Sequence, residues 1–385
     1  MNVASFLKSR LQKSKKTNYI DPLFLALVIV ISLFGTIMVF SAGGPYALAR
    51  YNDSFYFIKR QSIWLLFGFM IMYISSRIKP GIYKKYAPHL YVITLLLLLL
   101  VLIVGFVGNG AKRWISIGPL TLQPSEIAKF SLILILARYF DNNDSKATDY
   151  RHKRNSLIFG TLIPFAIMAL PIVLVMLQKH LSCIVILGSI GLLFIFIAGV
   201  DPKYISFFCA IGIITVLFIA FFTDYTKERI VVWQNPEAYK LTGGWQTLQG
   251  LMAIGSGGVW GVGIGNSILK HCYVSEPAND MIFAILCEET GLVGAIMTII
   301  LFGALILRGT QIAARGETRF SQLLCYGLCI KTALQVLLNI AVVTNTVPNT
   351  GISLPFFSYG GSSLVMLFFE MGIILSISRE SKIIK

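Results

Sequence analysis

An all-α, polytopic membrane bundle is the fold this sequence predicts, and three observations predict it. Apolar runs of about 20 residues recur along the 385-residue chain, the length at which a helix crosses the hydrocarbon core of a bilayer. Only 13% of residues are charged and 56% are hydrophobic, with a mean hydropathy of +0.76, which leaves too little polar surface for several water-soluble domains. One long polar interruption, Thr223 to Asn279, divides the pattern late in the chain and supplies the largest water-facing segment.

The apolar runs predict about ten spans. They lie near Pro22 to Ser41, Phe55 to Ser75, Tyr86 to Val107, Pro124 to Phe140, Ser156 to Met176, Leu181 to Gly199, Lys203 to Phe222, Asp280 to Leu307, Phe320 to Val343 and Gly361 to Ser378. The basic start leads straight into Leu23 to Phe40 with no small-residue cleavage pattern, so the first span is expected to be retained. Residues Phe6 to Lys13 form either a basic amphipathic turn on the membrane surface or a solvated tail. With the N-terminus placed inside, segments on the inner side hold about 21 Lys and Arg residues and those on the other side about 10. Both termini are therefore expected to be cytoplasmic and the long loop extracytoplasmic.

The formal charge of +16 does not imply nucleic acid, because no basic patch with interleaved aromatics sits on a soluble segment. The six cysteines lie mostly within apolar runs, without a CxxC pair or a metal-like His/Cys spacing, and read as small core residues. Within the long loop, the glycine-rich run Gly243 to Gly265 is punctuated by Trp245, Leu248, Leu251, Met252, Ile254 and Trp260. Such anchors favour a folded, partly re-entrant loop over a flexible linker.

Three polar constellations stand out. In Lys112-Arg113-Trp114 followed by Gln123-Pro-Ser-Glu126-Ile-Ala-Lys129, Pro124 suits a helix start, Glu126 suits its first turn, and Glu126 and Lys129 share a face. Those two charges either neutralise one another or leave Lys129, with Arg113 or Lys112, as a cationic seat for phosphate or diphosphate. Asp280 stands at the start of an apolar run, where a carboxylate serves as a helix cap or as a general base. Finally, Pro348 to Ser363, with Ser358 in it, is a turn-rich segment whose hydroxyls and glycines either line a cavity or allow close helix packing.

Four separated motifs taken together resemble the SEDS family of bacteria, which includes RodA, FtsW and SpoVE. They are Lys112-Arg-Trp-Ile with Gln123 to Lys129, Ala253-Ile-Gly-Ser-Gly-Gly, Asn279-Asp-Met-Ile-Phe-Ala with Glu288-Glu-Thr-Gly, and Leu354-Pro-Phe-Phe-Ser-Tyr-Gly-Gly-Ser-Ser. The match runs in order over essentially the whole chain. Asp53 to Gln61, Ser76-Arg77 and Ser376-Ile-Ser-Arg look more like the FtsW and SpoVE branch. Two departures are visible: Asn279 stands where the family usually has Thr, and Val274-Ser-Glu-Pro-Ala-Asn replaces the usual approach to the Asp.

The resemblance implies a peptidoglycan glycosyltransferase that polymerises lipid II at the outer face of the bacterial cytoplasmic membrane during division or sporulation. Its expected partners are lipid II, the undecaprenyl-diphosphate-linked glycan, membrane lipids and a class B penicillin-binding protein. Asp280 falls at the position of the family's essential Asp, and Trp114, Glu126 and Lys129 at functionally important positions. Arg113, Lys112 and Ser358 complete the expected substrate-binding set. No cofactor is required by the sequence, although a divalent cation on the diphosphate is compatible with it. Residues 1–21 and 379–385 are expected to be cytoplasmic tails flanking one transmembrane domain, 22–378. Two other readings remain open for such an architecture, a lipid II flippase and a non-catalytic scaffold.

Lys331 and Glu370 fall near the middle of the last two spans, where the family pattern usually has apolar residues. A charge at the centre of a span costs about 2.5 to 3.5 kcal/mol on insertion scales, so the two are expected to meet as a structural ion pair. Pairing of Lys331 with Glu288 or Glu289, or a rotation that wets it, is the alternative.

Overall fold

A computed structural model describes residues 19–108, 111–117, 120–148, 153–178, 180–210, 212, 224–271 and 273–381. The helices are α1 Pro22–Tyr51, α2 Tyr56–Arg77, α3 Pro80–Val104, α4 Pro124–Ala147, α5 Ser156–Leu177 (opening in a π-helical turn) and α6 Leu181–Ile197. They continue with α7 Asp224–Gln234, α8 Trp245–Ser256, α9 Ile282–Ala314, α10 Arg319–Val343 and α11 Gly361–Glu380. Among the described residues, seven helices are long and apolar enough to cross a membrane: α1, α2, α3, α5, α9, α10 and α11. The shorter apolar α6 and the buried α4 pack within the same bundle. Of the expected span Lys203 to Phe222, residues 202–210 are helical and most of the rest lies outside the described residues, as does the basic segment Phe6 to Lys13.

Helix α11 lies along α2, α9 packs on α1 and α10, and α4 is held between α3, α6 and α10. The α2–α11 crossing is close because small residues form it: a Cβ at Gly372 would meet the Met72 carbonyl oxygen at 2.4 Å. Carboxylates clip the ends opposite the long loop. Asp21 accepts from the backbone N–H of Phe24 at 2.9 Å and from Arg308 at 2.7 Å, which joins the start of α1 to α9. Asp141 on α4 accepts from the Phe320 N–H at 2.9 Å and from Lys84.

One departure from pure helix follows α3. Strands β1 Phe106–Gly108, β2 Ala111–Ile117 and β3 Leu120–Leu122 form an antiparallel meander in the order β1-β2-β3, with Phe106 opposite Trp114 and Ile115 opposite Leu122. The stretch is too short and too rich in glycine and proline for a helix, and antiparallel pairing satisfies its backbone groups beside the bilayer. It carries Lys112, Arg113 and Trp114.

The long loop folds back on α9. At Gly291, about 13 Å along α9 by the helical rise, the backbone leaves helical geometry with φ 67° and ψ −166°, in the left-handed half of backbone space that glycine tolerates. That break strands carbonyls and N–H groups inside the apolar layer, and the glycine-rich loop supplies their partners. Val262 and Gly263 N–H groups donate to the Glu288 and Glu289 carbonyls at 3.0 and 3.0 Å, while Leu292 and Val293 donate to the carbonyls of Gly258 and Val259 at 3.0 and 3.2 Å. The side chains of the same two glutamates finish the splice. Glu288 accepts from Ile268 N–H at 2.9 Å and from the Ser267 hydroxyl, and Glu289 accepts from Lys270 at 2.8 Å and from Ser41 of α1 at 2.6 Å. The expected re-entrant loop is therefore present, and the two glutamates hold it rather than Lys331.

Lys331 Nζ lies 2.5 Å from Glu370 Oε1, with both residues fully buried. Each is close to mid-length in its helix, and α10 and α11 run antiparallel, which brings the two charges to one level. Removing one partner leaves an uncompensated charge out of water, whereas removing both leaves an apolar core. Lys331→Met or Glu370→Leu alone is expected to cost about 3 to 5 kcal/mol, with the double variant recovering most of it. Unfolding of the purified variants in detergent measures this, and a double variant as unstable as the singles would contradict it.

Candidate active site

A cavity of ≈ 540 Å³ opens at the loop end of the bundle, between the β-meander, the starts of α4 and α6, the end of the long loop and the turn before α11. Asp280, Arg113, Trp114, Glu126, Lys129 and Ser358 all line it. Lys112 stands beside them in β2, its backbone opposite Val107. Residues separated by more than 240 positions in the chain thus reach one space.

Asp280 is positioned through the backbone on either side of it. Three consecutive carbonyls each accept from a different residue: Ala278 from the Tyr359 N–H at 2.8 Å, Asn279 from the Ser358 hydroxyl at 2.8 Å, and Asp280 itself from Asn339 Nδ2 at 2.9 Å. Ser358 also accepts from the Leu354 N–H at 2.7 Å, so its hydroxyl ties the turn before α11 to the segment carrying Asp280. Helix α9 begins at Ile282 behind Met281 and has no side-chain cap bond, so the cap role open to Asp280 is not the one it takes. Its carboxylate faces the cavity, where a Cβ on Gly351 would stand 3.0 Å from Oδ2 and where the φ of 68° at that residue also favours glycine.

Asp280 precedes α9 and so lies outside the spans. Burial, together with the neighbouring Glu276 carboxylate, pushes its carboxyl up to about 6, while Arg113 and Arg229 pull the other way. The result is an acid that is ionised at neutral pH yet holds a proton more readily than an ordinary Asp.

On the opposite wall, Lys129 Nζ donates to Glu126 Oε1 at 2.7 Å, and both residues are buried in the first turn and a half of α4. The expected pair forms, and both members still line the cavity. A separate void of ≈ 20 Å³, about the size of one water, lies between Glu126 and Lys331. Glu276, His180, Gln335, Arg60 and Tyr359 also line the main cavity and escaped the sequence reading. Each is a single polar residue without a diagnostic spacing; Glu276, Arg60 and Tyr359 sat inside quoted stretches but carried no role there. Burial, with Arg113 and Lys129 nearby, drives His180 down to about 3, so its imidazole is neutral. Among the described residues, no group of three or more His, Cys, Asp or Glu side chains is arranged to hold a metal ion.

The family described as cell cycle protein, FTSW_RODA_SPOVE, matches residues 21–383. The chain belongs to the FtsW, RodA and SpoVE family. It is 33% identical over 372 residues to a protein of Geobacter sulfurreducens named probable peptidoglycan glycosyltransferase FtsW, covering 96% of this chain and 97% of the other. It is 34% identical over 371 residues to stage V sporulation protein E of Bacillus subtilis, covering 96% and 99%. The crystal structure of the rod shape determining protein RodA of Thermus thermophilus superposes with a TM-score of 0.68 at 25% identity, over 94% of this chain and 97% of that one. A chain of a peptidoglycan synthase complex that coordinates polymerisation and crosslinking shares the fold with a TM-score of 0.77 at 24% identity, over 94% and 98%.

Two stability measurements probe the site of this SEDS protein apart from turnover. The carboxyl of Asp280 is raised in the folded state, so its ionisation costs stability that is absent below about pH 4, grows between 4 and 6, and is fully present above 6. Asp280→Asn is therefore expected to be more stable than the wild type at pH 8, by about 3 kcal/mol, and equal to it near pH 4. A loss of stability at pH 8 would restore the cap role. For the buried pair, Glu126→Gln or Lys129→Met alone is expected to lower the melting temperature more than both together, as read by thermal unfolding in detergent. A double variant less stable than either single would sink that expectation.

Proposed function

We propose that this chain is a peptidoglycan glycosyltransferase that polymerises lipid II, with Asp280 as its general base. The observation that carries the proposal is the placement of an uncapped carboxylate of raised basicity in one cavity with the cations of the β-meander and α4. The 4-hydroxyl of a lipid II GlcNAc attacks the anomeric carbon of the lipid-linked MurNAc at the end of the growing glycan. Asp280 takes the hydroxyl proton as the new glycosidic bond forms and the bond to the diphosphate breaks. Arg113 and Lys129 stabilise the charge that collects on the departing polyprenyl diphosphate. Trp114 offers a ring face to the sugars, Glu126 holds Lys129 in place, and Lys112 is kept in the substrate-binding set on its place in the sequence motif.

Ile63 of α2 lines the cavity and is also 65% exposed on the flank of the bundle. The cavity therefore reaches the lipid-facing surface there, and a polyprenyl chain has a route that keeps it in the bilayer while its head group enters. Below the Lys331–Glu370 pair, buried Leu136, Phe140, Phe194 and Phe320 close the core. Such closure favours chemistry at one end of the bundle over passage of a polar head group through it.

The chain is placed in the bacterial cytoplasmic membrane with both termini cytoplasmic and the cavity open to the outer face, following its Lys and Arg distribution. Its working partner is a class B penicillin-binding protein, a reading supported by the fold shared with a chain of a peptidoglycan synthase complex. A divalent cation carried on the diphosphate would meet Glu276 and Asp280 as the carboxylates of the same cavity, and magnesium titration of the polymerisation assay tests its contribution.

Polymerisation of purified lipid II by the protein with its partner is the decisive assay. Asp280→Asn is expected to lose about 10² to 10⁴ in rate while still folding. The wild-type rate is expected to fall about tenfold per pH unit below about 6, because the base must be ionised to accept the proton. Wild-type turnover by a folded Asp280→Asn protein, or a rate unchanged between pH 7 and pH 5, removes Asp280 from this role.

A further inference from the structure

Resting on the glycosyl-transfer reading above, the geometry points to a diphosphate subsite at the start of α4 and α6, in which His180 and Ser125 act as hydrogen-bond donors beside Arg113 and Lys129. All four residues line the cavity. His180 and Ser125 are buried, with 7% and 2% of their surface exposed.

Their polar atoms are what call for an explanation. His180 Nδ1 is enclosed and makes no hydrogen bond within the protein. Ser125 Oγ likewise has no well-formed partner, only the weak Cys183 thiol beside it. Buried polar groups are nearly always satisfied, and exceptions that gather in one cavity are explained when a ligand completes them. His180 immediately precedes α6 and Ser125 is the second residue of α4, so both sit where the positive ends of two long helices converge on the same space.

The class of ligand follows from the charge on this wall. Arg113 and Lys129 are cations that only donate, the Ser125 hydroxyl and one imidazole nitrogen of His180 can donate beside them, and the wall's one carboxylate, Glu126, is engaged by Lys129. A multiply charged group that only accepts, such as a diphosphate, matches both the charge and the donors.

Burial and the two adjacent cations, Arg113 and Lys129, favour the uncharged imidazole of His180. A neutral donor orients phosphate oxygens without adding to the Coulomb attraction that would retain the diphosphate after the bond to the sugar breaks. A third cation at this point would tighten product and substrate alike. The subsite thus separates aiming from attraction.

Binding of farnesyl diphosphate and of farnesyl monophosphate to the purified full-length protein in detergent tests this without turnover. His180→Phe keeps the ring volume and removes both nitrogens, whereas His180→Asn keeps a neutral donor. His180→Phe is expected to weaken farnesyl diphosphate binding about tenfold or more, His180→Asn to stay within about threefold of wild type, and monophosphate binding to change less than diphosphate binding. An unchanged diphosphate affinity in His180→Phe, an equal loss in the Phe and Asn variants, or an equal loss for both ligands overturns the subsite. Should His180→Phe not fold, Ser125→Ala removes a single oxygen and serves in its place: weaker diphosphate binding supports the subsite and wild-type binding overturns it. Lipid II polymerisation by the wild type is measured in parallel. Its absence counts against the glycosyl-transfer reading, whereas polymerisation combined with diphosphate binding indifferent to His180 and Ser125 removes only the subsite.

Discussion

The interrupted hydrogen-bond ladder of α9 is the constraint on which the rest of this molecule depends. Inside a bilayer an unpartnered peptide group has no water to turn to, so a helix that breaks there must be repaired by protein. The repair comes from the glycine-rich loop, whose backbone exchanges hydrogen bonds with residues 288 to 293 on both sides of Gly291. Once that splice is made, the chain between the loop and α9 has little freedom, because Glu288 and Glu289 also grip residues 267 to 270. The short connection that remains carries Glu276 and Asp280. Local breakage in one helix therefore fixes where a carboxylate stands just before the start of that helix.

The site is organised by the charges that its two walls set against one another. Glu276 and Asp280 arrive on the loop that precedes α9, while Arg113 on the β-meander and the Lys129–Glu126 pair on α4 face them. Neither wall is comfortable on its own: burial, aided by Glu276, raises the basicity of Asp280, and burial, aided by Arg113 and Lys129, suppresses the charge of His180. Both perturbations have the sign that group transfer needs. A base near neutrality accepts a proton without being neutralised in advance, and an imidazole held neutral leaves the positive charge to side chains that cannot lose theirs.

The spans were legible because lipid imposes a length on them, and even α4, polar at both ends, was marked by Pro124 and Glu126 at its start. Lys331 and Glu370 were legible for the opposite reason: charges in an apolar run are so costly that their meeting could be inferred from depth alone. The β-meander was not, since short strands between glycines leave no periodicity to count. Whether Asp280 capped a helix or faced a cavity depended on Ser358, Tyr359 and Asn339, which lie 59 or more residues downstream and whose hydrogen bonds no local spacing encodes. His180 was invisible for a related reason, as a lone histidine at a helix start acquires meaning only through the residues packed around it.

The ion pair joining the last two long helices also bears on how the protein is made. When α10 enters the membrane its ammonium lacks the carboxylate it contacts in the folded protein, because Glu370 belongs to a helix still to be synthesised. Until α11 arrives, Lys331 must be kept in water, shielded by the insertion machinery, or neutralised by losing its proton. The final helix is thus more than a closing stave of the bundle. It is the counter-ion that lets the preceding one settle, so a chain truncated before residue 370 would leave Lys331 buried without the carboxylate it contacts.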